Sequence, residues 1–75
     1  MNTATTLTLK EKKQLLKLNK NIRDKLFNKE ITQIDELFTY VYGYVDAMID
    51  YDGAISDLLI HHIYRSVRNL CELYL

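Results

Sequence analysis

Residues 39–56 read TYVYGYVDAMIDYDGAIS, and two folds compete for them. The first half, Tyr40-Val41-Tyr42-Gly43-Tyr44-Val45, alternates as a strand would. The second half, Asp50-Tyr51-Asp52-Gly53-Ala54-Ile55-Ser56, has the acidic, glycine-centred pattern of a calcium loop. Projected at roughly 100° per residue, Ile34, Leu37, Phe38, Val41, Tyr44, Val45 and Met48 share one face. Tyr40, Tyr42, Ile49 and Tyr51 border that face, and Asp35, Glu36, Thr39, Gly43, Asp46, Ala47 and Asp50 fill the remainder. Alternation fails on both sides of residues 40–45, whereas the helical period sorts the whole segment. The stretch predicts a helix over about residues 33–51, with Thr32 as its N-cap.

The calcium pattern fails at its anchors. With Asp50, Asp52 and Gly53 at loop positions 3, 5 and 6, the first ligand falls on Met48 and the bidentate twelfth on Leu59. Two apolar anchors hold no cation. The segment reads instead as a helix stop, with Gly53 supplying the left-handed residue after the C-terminus. Ser56 is a suitable N-cap for the next helix, and Ile55 and Ile60 stand at staple positions around it.

On either side of this pivot the chain is also helical. Thr8-Leu9-Lys10-Glu11 forms a capping box, and Leu15, Leu18, Ile22 and Leu26 follow as one stripe. That predicts a helix over about 9–28, closed by Asn28-Lys29-Glu30. A third helix over about 57–74 directs Leu59, Ile60, Ile63, Val67, Leu70, Cys71 and Tyr74 one way and Asp57, His61, Arg65, Arg68 and Glu72 the other. The chain has no proline and two glycines, so breakers are few. The expected fold is all-α, a single domain over residues 1–75 with a flexible N-terminus over 1–7. The short link at Gly53 pairs helices two and three as an antiparallel hairpin. The basic first helix either completes a three-helix bundle or swings out.

Seventy-five residues lie near the lower limit for a self-sufficient core, and such chains lean on a staple or a partner. Cys71 is the lone cysteine, so no intramolecular disulfide forms. No apolar run approaches the roughly 18 residues of a membrane span, and Met1–Leu7 lacks the pattern of a secretory signal. The cytoplasm is the expected compartment, with no membrane partner. Phe, Tyr, Met, Ile, Asn and Lys, whose codons are rich in A and T, far outnumber Gly, Ala, Arg and Pro. The skew points to a low-GC bacterium, its phage or a plasmid.

A formal net charge of zero hides an asymmetry: residues 1–29 carry +6 and residues 30–75 carry −6. Lys10, Lys13, Lys17 and Lys20 form a basic side of the first helix that could track phosphates. Against this, the third helix opens Ser56-Asp57-Leu58-Leu59-Ile60 rather than with polar base-reading residues. His61 and His62 diverge by roughly 100° on a helix and cannot chelate one ion together. Asp57 and His61 lack a third ligand. Cys71 sits on an apolar face, as a packed thiol does. No catalytic, cofactor or metal constellation emerges, and no enzyme is expected.

The tyrosines are the most informative feature. Tyr40, Tyr44 and Tyr51 run along one edge of the second helix's apolar arc with Met48 inside it, and tyrosine is enriched at protein interfaces. The expected function is that of a small helical interaction protein, a regulator, inhibitor or adaptor of a larger protein. Homodimerisation through helices two and three accounts for the wide apolar arcs. The alternative is a nucleic-acid-binding protein using the lysine-rich first helix.

Overall fold

Three helices, α1 (Leu9–Phe27), α2 (Ile34–Asp52) and α3 (Asp57–Tyr74), form the computed structural model, which describes residues 6–75. No strand occurs among those residues. The expected flexible N-terminus falls largely outside them; its last residue, Leu7, packs against the core.

Each helix end has a local cause. At the start of α1 the Thr8 and Glu11 side chains close a reciprocal capping box. Its C-terminus closes as a Schellman motif: the Glu30 amide donates to the Lys25 carbonyl (2.9 Å) and the Lys29 amide to that of Leu26 (3.3 Å). The left-handed residue this motif needs is Lys29, at φ 64°, rather than a glycine. At the other link Gly53 takes φ 86° and donates to the Ile49 carbonyl. Ser56 then accepts from the Leu59 amide at 3.1 Å and caps α3 as expected.

The start of α2 corrects the sequence expectation. Gln33, not Thr32, is the N-cap. Glu36 reaches back to accept from the Thr32 amide (3.2 Å), the Thr32 hydroxyl (3.3 Å) and the Gln33 amide (3.1 Å). The threonine hydroxyl is engaged as a donor to that carboxylate, so it stands outside the helix as part of the lead-in.

The core comprises Leu18, Ile22 and Leu26 of α1, Leu37, Val41, Val45 and Met48 of α2, Leu59, Ile63, Val67 and Leu70 of α3, and Ile31 of the first link. These residues belong to the predicted stripes apart from Ile31, while Leu15, Phe38, Tyr44, Ile60 and Cys71 of those stripes are only half-buried. Ile34, expected on the buried face, is 53% exposed because it begins its helix, and Ile31 from the link is buried instead. Tyr74 likewise emerges at the end of α3.

Side-chain pairs fix the relative directions. Glu11 meets Ser56 near the N-termini of α1 and α3, and Asn19 meets Ser66 halfway along both, so α1 and α3 run parallel. Lys10 and Gln14 bind Asp52 at the far end of α2, which therefore runs antiparallel to α1. The α1 and α3 backbones approach each other more closely than either approaches α2. The first helix completes the bundle.

Two backbone positions can be improved. Gly43 lies mid-helix, exposed, with nothing within 4 Å of where a Cβ would stand. Gly43→Ala should raise stability by about 1 kcal/mol, read as a higher Tm; a strand or a positive φ there would give a loss. Lys29→Gly removes the left-handed strain and should add about 0.5–1 kcal/mol in denaturant titration, whereas an unchanged midpoint would contradict the assigned φ.

Candidate protein-interaction surface

Helix α2 carries an aromatic ribbon on each flank. On the α1 side the rings of Tyr40 and Tyr44 lie 6.1 Å apart, and the Lys25 ammonium sits 5.1 Å above the Tyr40 ring, a cation–π contact. On the α3 side Phe38 stacks with Tyr42 at 6.1 Å, and Tyr42 with Tyr64 at 6.0 Å. The 3.6-residue period causes the division: Tyr40, Tyr44 and Tyr51 project to one edge of the core stripe, and Phe38 and Tyr42 to the other.

Between α1 and α2 an open groove is lined by Gln14 and Lys17 from α1 and by Tyr44, Met48 and Tyr51 from α2. Three of the four expected partner-binding residues thus converge, and the fourth, Tyr40, continues the ribbon through its contact with Tyr44. They differ in exposure. Met48 is buried at the groove floor, Tyr40 and Tyr44 are half-buried, and Tyr51 is 91% exposed. Burial, and then the neighbouring Tyr40, push the Tyr44 hydroxyl above its ordinary value; burial, Tyr42 and Asp46 do the same to Tyr64. Both stay neutral at physiological pH and can donate a hydrogen bond to a partner.

The groove ends in a polar cluster. Asp52 receives the Lys10 ammonium at 3.2 Å and the Gln14 amide at 2.9 Å, which offsets a carboxylate at a helix C-terminus, where the macrodipole disfavours it. Beside it the Ser56 hydroxyl donates to the Glu11 carboxylate. Lys10, Lys13, Lys17 and Lys20, the candidate phosphate contacts, are all exposed on α1; Lys10 is the one engaged in an ion pair.

The other candidates do not assemble. His61 is exposed and His62 half-buried, with rings nearly perpendicular at 6.0 Å. Among the described residues no three His, Cys, Asp or Glu side chains are placed to share a metal ion. Cys71 is half-buried, and burial, then the charge of Glu72, hold its thiol above the ordinary value, away from nucleophilic character. No helix among the described residues is long and apolar enough to cross a membrane. Sequence reasoning missed one set of residues: Leu9, Leu16 and Phe27, exposed on α1 at spacings of 7 and 11. That spacing was the signal for a second, thinner apolar line away from the core stripe. No protein-family model, curated protein or solved structure matches the chain.

The Glu11 cluster sets a pH dependence. The Ser56 hydroxyl, then the Thr8 amide, hold the Glu11 carboxyl below its ordinary value. A depressed folded value means a contribution present above the unfolded carboxylate range and lost as pH falls through the folded value. Glu11→Gln should therefore lower Tm at neutral pH, with the gap from wild type closing as both are taken into acid. An equal gap at every pH would show that charge has no part in it.

Proposed function

We propose that this chain is a small helical protein–protein interaction module that self-associates as a homodimer and acts as a regulator, inhibitor or adaptor of a larger protein. One observation carries this reading. All eight aromatic side chains, six Tyr and two Phe, lie outside the fully buried core, which consists of Leu, Ile, Val and Met alone. Aromatic rings are the largest apolar groups available to a chain without tryptophan, and in a small domain they ordinarily close the core. Here Phe38, Tyr40, Tyr44 and Tyr64 pack only against the edge of the core, and Tyr42 and Tyr51 stand exposed on α2. Phe27 and Tyr74 are exposed at the ends of α1 and α3, so ring surface is left that can be covered from outside. Tyrosine suits such a place because its ring supplies contact area and its hydroxyl tolerates water when the partner is absent.

The bias toward A/T-coded residue types fits a gene carried by a phage or plasmid of a low-GC bacterium, and a modulator of a host machine is a role of matching size. A second reading has its own support: Lys13, Lys17 and Lys20 are exposed on one side of α1, an arrangement able to neutralise phosphates.

Affinity capture from a low-GC bacterial lysate separates the two. Tyr51→Ala cannot disturb the core, because Tyr51 is almost wholly exposed. A protein retained by the wild type and lost by Tyr51→Ala supports the interaction module. Tight retention of duplex DNA or RNA at physiological salt, with a salt slope reduced by removing Lys13, Lys17 and Lys20, would favour the second reading.

A further inference from the structure

Charge is sorted by helix. Over Leu9–Phe27, α1 carries seven basic and two acidic side chains, a net +5; over Ile34–Asp52, α2 carries five acidic side chains and no basic one, a net −5. The two helices neighbour each other, yet Lys10–Asp52 is the one ion pair joining them among the described residues. Most of the opposite charge therefore points outward rather than across the α1–α2 seam. Along that seam runs the groove of Tyr44, Met48 and Tyr51 with Lys17 on its α1 rim. The α3 helix offers no comparable contrast, since Asp57 and Glu72 cancel Arg65 and Arg68.

Such a face, basic on one side, acidic on the other and aromatic between, is complementary to itself. We infer that the occupant of the α1–α2 groove is a second copy of this chain, docked through α1 and α2 rather than through helices two and three as the apolar arcs alone suggested. The copies are related by a two-fold axis parallel to the helices, so that α1 of each copy lies against α2 of the other. This rests on the groove being a protein-docking surface. An axis perpendicular to the helices and within the interface would set α1 against α1, and the two +5 helices would repel. The parallel axis preserves height along the bundle. Lys17 stands level with Ala47 and Met48 of its own chain, so it comes within one turn of Asp50 in the other. Gly43 and Ala47 keep the outer side of α2 low, and nothing fills the space above Gly43. The rims set register and encounter rate, and the tyrosines at the centre supply affinity.

Reciprocity gives a specific test by sedimentation velocity over a micromolar concentration series, with circular dichroism confirming that each variant is folded. Lys17→Glu alone and Asp50→Lys alone should each weaken the dimer by roughly tenfold or more, as should Tyr51→Ala. Lys17→Glu mixed with Asp50→Lys should recover wild-type association. In that mixed dimer one seam pairs the two substituted side chains with their charges exchanged, and the other keeps Lys17 against Asp50. A wild-type chain that stays monomeric throughout overturns the inference; if Tyr51-dependent capture of another protein persists, the groove survives with a different occupant. A dimer indifferent to all three variants, or single variants that do not rescue each other, overturns the assigned face.

Discussion

Two parallel helices that are not consecutive in sequence form the closest packing in this bundle, and parallel alignment has an electrostatic cost. The N-termini of α1 and α3 lie side by side, each the positive end of a macrodipole with amides lacking intrahelical partners. Glu11 resolves the conflict. One of its oxygens accepts the Thr8 amide at the start of α1, and the other accepts the Ser56 hydroxyl, which itself caps α3 through the Leu59 amide. A single carboxylate thus places negative charge between two positive ends and links their caps in one hydrogen-bonded chain. The C-terminus of α2, with its negative dipole end, arrives at the same place, where Lys10 and Gln14 engage Asp52. At this end of the bundle polar groups link the three helices, and Leu7 and Ile55 close the core beneath them.

The closeness of α1 and α3 decides where α2 can go. Small polar side chains, Asn19 and Ser66, meet between the parallel helices at 3.5 Å. The neighbours that α2 meets on either flank are long or aromatic: Lys25 over Tyr40 on one side, Tyr64 against Tyr42 on the other. The apolar stripe of α2 enters the core with aliphatic residues only, and its tyrosines remain at the seams. An arrangement of this kind leaves the monomer with an aliphatic interior and two aromatic margins.

Helix positions were legible in the sequence because they depend on local period and local caps. The alternation at Tyr40–Val45 lost to the helical stripe for this reason, and Gly53 and Ser56 announced the link to α3. Thr32 misled because threonine is a preferred N-cap type and glutamine is not; the Glu36 carboxylate takes up the Thr32 hydroxyl and the Gln33 amide, and the helix starts one residue later. The burial of Ile31 in place of Ile34 depends on where the link meets the helix ends, which periodicity does not encode. The contacts of Glu11 with Ser56 and of Lys10 with Asp52 span 45 and 42 positions and follow from helix directions, so no motif announces them. Of the candidate site, the tyrosine edge was readable, while the groove it shares with Lys17 and Gln14 required knowing which helix lies beside it.

Why the aromatics stand at the margins follows from the size of the chain. A domain this small encloses little interior volume, and aliphatic side chains fill it here. Leu, Ile, Val and Met make up the core, and the one buried side-chain polar atom without a partner among the described residues is Asn19 Oδ1, at the α1–α3 seam. Tyrosine hydroxyls at the seams remain available to water, and burial pushes those of Tyr44 and Tyr64 further above their ordinary value. The aliphatic core therefore holds the monomer together with Tyr40, Tyr44 and Tyr64 packed on its edge, while Tyr42 and Tyr51 stay exposed on α2.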